Sequence, residues 1–388
     1  MKIVADKDIP FVQRLFSSIG NVTLADARQI TPELINDTDI LIVRTVTNVN
    51  DVLLQGSSLK FVASATSGID HIDTHTLQDM GIGFAYAPGC NARSVAEYVL
   101  SVLFVLAQQY EFKLTEKSVG LIGCGHIGSQ VLDFLQALGV SCIAHDPPLR
   151  DSTGNERYRS LDEVMTADII SLHVPLVTVG QYPTRHLINS EFLQGLRKDV
   201  ILINTSRGQV IDEAALLNFL GQNKQARVVL DVWSDEPRIN TELLSKVNIG
   251  TAHIAGYSTD GKLRTTQAIY QQACDYFDIE YQAVLPKDQI DAVITDMTLA
   301  DVNSDIDAVQ LAVLASYDVR SDAAILRSLL AIDEAQRADF FSEIRNTYPV
   351  RREFNAVNIK LAPASASAQE KLALLGFKIG RASCRERV

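Results

Sequence analysis

Gly123-Cys124-Gly125-His126-Ile127-Gly128 stands directly behind the apolar run Val119–Ile122 and opens a helix-forming stretch that reaches Leu138. Each glycine has its own reason: Gly123 permits a tight turn, Gly125 lets backbone approach a pyrophosphate, and Gly128 lets the helix pack closely on the strand. The helix start adds amide donors and a dipole that favours an anion. A second strand, Ser141–His145, ends at Asp146, in the interval where an acidic side chain meets ribose hydroxyls. A carboxylate there accepts hydrogen bonds from both adenosine ribose hydroxyls and repels a 2′-phosphate, which argues for NAD over NADP. The alternation continues through Asp168–His173, Val200–Asn204 and Val228–Asp231. Such near-continuous apolar strands predict a doubly wound parallel sheet with helices on both faces.

The flanks differ in texture. Upstream, Lys2–Ala5, Ile40–Val43 and Phe61–Ala65 alternate with helical segments, as in a small α/β domain. Beyond about Gln282 come the amphipathic helices Asp305–Ser316 and Glu334–Thr347 and a late strand, Val357–Leu361, which together predict a third, α+β domain. Two or three domains suit 388 residues, and 47% hydrophobic residues sustain their cores. The 35 basic against 47 acidic residues give a formal charge of −12, which sets the chain against nucleic acid and anionic membranes. The longest apolar stretch, Tyr98 to Ala107, falls well short of the ~20 residues needed to span a bilayer and predicts a buried helix. The opening segment lacks the apolar core of a signal peptide, and the five cysteines show no C-x-x-C pattern. Reduced thiols and a cytoplasmic location are expected. Residues 379–388 crowd charges beyond a finished helix, and their codons can spell a common sequencing adapter, so they read as a non-native tail.

Three further segments carry chemistry. Asn204-Thr205-Ser206-Arg207-Gly208, Asp231-Val232-Trp233-Ser234-Asp235-Glu236-Pro237 and Thr251-Ala252-His253-Ile254-Ala255-Gly256 resemble, in order and spacing, the signatures of the D-isomer-specific 2-hydroxyacid dehydrogenase family. The resemblance covers about Met1 to Gln282. It implies a Rossmann NAD domain (93–253) inserted in a flavodoxin-like substrate domain (1–92 and 254–282), followed here by a C-terminal dimerisation domain (283–378). It also implies that Arg207, Glu236 and His253 are catalytic. Oxidising a 2-hydroxy acid removes a hydride from carbon and a proton from oxygen, and histidine is the natural base for the proton. A carboxylate on the far ring nitrogen fixes its tautomer, and the planar fork of an arginine grips the substrate carboxylate. Against the cofactor the resemblance places Gly123, Gly125, His126, Ile127, Gly128, Asp146, Val174, Thr205, Ser206, Arg207, Asp231 and Gly256, with Asp231 at the nicotinamide end. Thr66-Ser67-Gly68-Ile69-Asp70 looks like the substrate loop of the family. His71 and His75 have the i, i+4 spacing of a metal pair but lack the adjacent glutamate of the metalloprotease pattern, so no metal is expected.

Four features resemble one branch of that family, which acts on a phosphorylated 2-hydroxy acid. They are Leu41-Ile42-Val43-Arg44-Thr45-Val46-Thr47, Tyr257 directly after the histidine motif, Gly180-Gln181-Tyr182-Pro183-Thr184-Arg185-His186-Leu187, and Asn346-Thr347-Tyr348-Pro349-Val350-Arg351-Arg352-Glu353-Phe354. The branch implies a homodimer formed through the C-terminal domain and substrate contacts at Thr45, Thr66 and Tyr257. Position 45 departs from the expected serine while keeping the hydroxyl. A phosphate needs cations: Arg44 is the first candidate, and the Arg345, Arg351 and Arg352 group the second. Phosphoglycerate and glycerate or hydroxypyruvate dehydrogenases remain as alternative readings. An NAD-sensing scaffold of the corepressor kind is the alternative from another class.

Overall fold

The computed structural model describes residues 1–281, 296–300, 304–362 and 365–380. The chain packs into two compact units. One comprises Met1–Asn91 and Ser258–Ala292, the other Ala92–Tyr257 and Val293–Val388.

The first unit is built on five parallel strands: β1 (Lys2–Asp6), β2 (Asn21–Ala25), β3 (Ile40–Val43), β4 (Phe61–Ser64) and β5 (Gly83–Tyr86). Their order, β2-β1-β3-β4-β5, is that of a flavodoxin-like sheet. β3 and β4 are buried along their whole length, which is why they read as unbroken apolar runs. β2 lies at the edge, is mostly exposed and mixes polar with apolar residues, so sequence patterning passes over it. The helix Thr259–Tyr276 returns to this unit and buries Ile269, Tyr270 and Ala273 in the same core as Ile3, Ile40 and Phe61.

The second unit holds six parallel strands: β6 (Ser118–Ile122), β7 (Ser141–His145), β8 (Ile169–Leu172), β9 (Ile201–Asn204), β10 (Arg227–Leu230) and β11 (Ile249–Gly250). Their order is β11-β10-β9-β8-β6-β7, so the direction of winding reverses between β6 and β8. In open α/β sheets the crevice outside the carboxyl ends at that reversal takes the ligand. The observed strands are trimmed against the sequence reading: Asp168, His173 and Asp231 fall in the loops at the strand ends. Each still bonds to an adjacent strand: Asp168 accepts from Ser118 N, His173 N donates to Ile122 O, and Asp231 N donates to Asn204 O.

A third sheet in the same unit is also wholly parallel: β12 (Asp296–Ala300), β13 (Asn358–Ala362) and β14 (Lys378–Gly380). Ile379 and Gly380, the first two residues of the stretch read as a tail, pair with Ile359 and Lys360, so the chain there is a strand. Residues 381–388, Cys384 among them, lie outside the described residues. The long helix Ala92–Gln109 is buried from Ala92 to Ala107. It is covered on more than one side, because the helices Asp305–Ser316 and Val319–Arg327 pack against it as well as the helix His126–Ala137. Val99, Leu103, Val131, Val309, Phe354 and Ile359 share one continuous core. No helix among the described residues is long and apolar enough to cross a membrane.

Gly128 is the tightest point of the nucleotide-type turn: a Cβ there would stand 1.9 Å from the carbonyl oxygen of Gly123. Gly128→Ala is therefore expected to destabilise the protein by about 1–3 kcal/mol, the usual range for overpacking, read as a lower denaturant midpoint at unchanged slope.

Candidate active site

At the β6/β8 crevice the backbone turns sharply at Gly123, whose φ of +89° belongs to the left-handed region. A Cβ on Gly123 would press on the His173 carbonyl, whereas one on Gly125 would meet nothing within 4 Å. The turn is thus closed towards the protein and open at Gly125, the shape a pyrophosphate requires. The helix His126–Ala137 begins there with His126 exposed and Ile127 half-buried. Asp146 ends the neighbouring strand with its carboxylate locked: Cys124 N donates to Oδ2 at 2.8 Å and Leu149 N to Oδ1 at 3.0 Å. Each oxygen keeps a second lone pair, enough for two ribose hydroxyls. These residues fit a dinucleotide. Burial pushes the Cys124 thiol up to about 12, so it is no nucleophile despite its place in the turn.

Beneath this loop, burial pushes His173 down to about 3, which keeps the ring neutral. It links Ser171 at 2.9 Å to Thr205 at 3.3 Å. The Ser206 hydroxyl donates to Asn204 Oδ1. The side chains of Thr205 and Ser206, both buried, are therefore bonded within the protein. His173 carried no signal in the sequence, because a lone histidine at a strand end has no pattern to mark it.

The catalytic candidates converge at the ends of β9, β10 and β11. His253 Nδ1 lies 2.7 Å from Glu236 Oε2, and Trp233 N donates to the other oxygen, Oε1, at 2.9 Å. Burial alone would raise the Glu236 carboxyl, but the His253 ring, Arg345 and the Trp233 amide together hold it below the usual carboxylate range. An ionised Glu236 favours the proton on Nδ1 and leaves Nε2 with a free lone pair. Trp233 Nε1 in turn donates to Thr251 O at 2.9 Å, tying the glutamate segment to the histidine segment. Gly208 brings the arginine segment to the same place, since a Cβ there would fall 1.9 Å from the Trp233 carbonyl carbon. Arg207 leaves this junction half-buried, its Nη1 donating to Ser206 O at 2.8 Å.

His253 itself has a φ of +56°, a left-handed conformation that a non-glycine residue holds only when its surroundings impose it. Asp231 imposes it. Its buried carboxylate accepts from Ile254 N (2.8 Å), Ala255 N (3.0 Å) and the Thr251 hydroxyl (2.6 Å), while its carbonyl accepts from His253 N (2.7 Å). Tyr98, from the long helix, closes the chain by hydrogen-bonding Thr251 at 2.7 Å. Asp231, expected at the nicotinamide end, thus spends its carboxylate on the loop that carries His253.

The remaining expected contacts lie in the first unit. Thr45 is exposed and Thr66 half-buried, its hydroxyl donating to Gly68 O. Arg44 is engaged by two carboxylates: Nε and Nη2 donate to Asp6 at 2.8 and 3.1 Å, and Nη2 also to Asp8 at 2.7 Å. His71 Nε2 faces Ser64, whereas His75 pairs with Asp79, so the two imidazoles do not form a common site. In the second unit Tyr257 packs edge-on against Tyr348, and the guanidinium of Arg345 lies 5.7 Å from the Tyr257 ring centre.

Residues 104–255 match the family described as D-isomer specific 2-hydroxyacid dehydrogenase, NAD binding domain. Over 98% of this chain and 99% of the relative, the sequence is 42% identical to the erythronate-4-phosphate dehydrogenase of Hahella chejuensis. That of Proteus mirabilis is 43% identical over 92% of this chain and 94% of the relative. The chain belongs to the erythronate-4-phosphate dehydrogenase family. Among solved structures, a D-lactate dehydrogenase from Aquifex aeolicus complexed with NAD and lactic acid covers 71% of the chain, and 96% of its own, with a TM-score of 0.59 and 25% identity. A cofactor-bound 3-phosphoglycerate dehydrogenase from Entamoeba histolytica shares the fold over 74% of this chain and 99% of its own, at 23% identity and a TM-score of 0.61. Residues 285–376 match a domain of unknown function.

In this family setting the hydrogen bond between Glu236 and His253 has a measurable consequence. Glu236→Gln removes the charge that stabilises the imidazolium, and kcat for oxidation is expected to fall by about 100-fold or more in a steady-state assay, with NAD affinity unchanged.

Proposed function

We propose that this chain oxidises 4-phospho-D-erythronate to 2-oxo-3-hydroxy-4-phosphobutanoate in the biosynthesis of pyridoxal 5′-phosphate. Bound NAD supplies the hydride acceptor, held by the Gly123–Gly128 turn and Asp146. His253 Nε2 takes the proton of the C2 hydroxyl, and Glu236 stabilises the imidazolium that results. Arg207 pairs with the C1 carboxylate, fixing the face that C2 presents. Thr45, Thr66 and Tyr257 offer hydroxyls to the polyol, and Arg44 a cation to the phosphate. Asp6 and Asp8 hold that guanidinium in one place while offsetting its charge. The chain works in the cytoplasm as a homodimer joined through residues 283–378.

One observation carries the reading: an imidazole held in a left-handed turn with a carboxylate 2.7 Å away on the neighbouring loop, at the strand ends of the sheet whose glycine turn fits a dinucleotide. The test is the appearance of NADH on mixing protein, NAD and 4-phospho-D-erythronate, with D-glycerate and 3-phosphoglycerate as competitors. His253→Asn and Arg207→Ala are each expected to lower kcat/KM by at least about 100-fold while the proteins stay folded. Parental rates in either variant would overturn the mechanism. Preference for a competitor acid would overturn the substrate. Arg44→Ala is expected to raise KM for the phosphorylated acid and leave KM for D-erythronate unchanged.

A further inference from the structure

The residues after Asn346 return to the loop that carries the base. Arg351 is 5% exposed and sends one guanidinium nitrogen to Ala255 O at 3.1 Å and the other to Ser94 O at 2.6 Å. Its planar head also lies 3.6 Å from the Tyr317 ring centre. The same neighbourhood is tied down twice more: Ser94 Oγ donates to Gly256 O at 3.2 Å, and Phe354 N to the buried Glu97 at 2.9 Å. The segment beyond His253 is therefore pinned from both sides. Its amides sit on Asp231, and its carbonyls on Arg351 and Ser94. Six residues earlier, at the end of the helix Glu334–Asn346, Arg345 places its guanidinium over Tyr257 with a buried Nε that has no hydrogen-bond partner among the described residues.

We propose that the C-terminal domain is part of the catalytic apparatus: Arg351 fixes the backbone on which His253 stands, and Arg345 sets a positive charge beside the His253–Glu236 pair and Tyr257. Both are positioning residues, acting through His253 and Glu236 rather than on substrate. The inference rests on the role of base given to His253 above. It also changes the standing of the phosphate candidates, since the two terminal nitrogens of Arg351 are committed to main-chain carbonyls.

The charges around the pair fix the sign of the effect. Glu236 faces the ring from the loop after β10, Asp231 lies behind it, and Tyr257 follows it in the chain. Arg345 is the cation that the C-terminal domain contributes, and its charge is felt by Glu236, Tyr257 and Asp231. A nearby cation favours the ionised carboxylate, so Arg345 helps to keep Glu236 charged against its burial. Removing it lets burial raise the carboxyl.

The test uses the full chain. The side-chain carboxyl of Glu236 is followed by NMR in glutamate-labelled protein without NAD, assigned by comparison with Glu236→Gln. Arg345→Met is expected to raise its titration midpoint, because the cation that helps hold it down is gone. Arg345→Lys, which keeps the charge, is expected to restore it. Arg351→Lys keeps a buried cation but cannot reach two carbonyls, and is expected to lower kcat about tenfold with KM for NAD unchanged. It carries that arm of the test should Arg351→Met fail to fold. An unmoved titration in Arg345→Met overturns the proposal. So does an Arg345→Met variant whose sole defect is a raised KM for 4-phospho-D-erythronate but not for D-erythronate, because that marks a phosphate anchor. A wild-type protein that forms no NADH from either acid speaks against the reaction proposed above, not against Arg345, whose effect is still read from the titration.

Discussion

The buried carboxylate of Asp231 is the interaction on which the rest of the site depends. It gathers two consecutive amides and a hydroxyl, while its own carbonyl takes the amide of His253. A carboxylate at 1% exposure is costly unless its oxygens are satisfied, and here the donors that satisfy it are those of the loop it must shape. The left-handed backbone at His253 is the result. Without that turn the imidazole would not meet Glu236, and the parallel sheet would end in a loop with no defined direction.

Around this clamp the sheet supplies rigidity. Each of the loops after β9, β10 and β11 delivers one of Arg207, Glu236 and His253, because adjacent parallel strands bring their carboxyl ends to one edge. Gly208 and Trp233 weld the loops together: the glycine allows backbone contact, and the indole joins the glutamate segment to Thr251. The glycine turn and His253 thus lie along one edge of the same sheet.

The C-terminal domain alters the economy of the site. In its absence the helix Ala92–Gln109 would expose an apolar face, and Glu97 would lack the Phe354 amide. With it, the helix is buried to Ala107, and its Tyr98 reaches Thr251 at the centre of the clamp. The segment that matches a domain of unknown function is therefore bound into the same core as the strands whose ends carry the candidate residues.

Much of this was legible before any coordinates. Short-range spacing determined the glycine turn, the acid at Asp146, the parallel strands and the order of the arginine, glutamate and histidine motifs. Each of these depends on residues close together in the chain, or on apolar periodicity that burial on both faces requires. The strands β2, β5, β11, β12 and β14 were missed; each lies at the edge of its sheet, where one-sided pairing leaves a weaker apolar pattern. What only the tertiary structure decided is who satisfies whom. That Arg351 spends its guanidinium on Ala255 and Ser94, that Asp6 and Asp8 share Arg44, and that Asp231 holds the loop after His253 all depend on contacts between residues distant in sequence. A polar side chain announces its capacity to bond in the sequence, but its partner is fixed only when the packed core brings one within 3 Å.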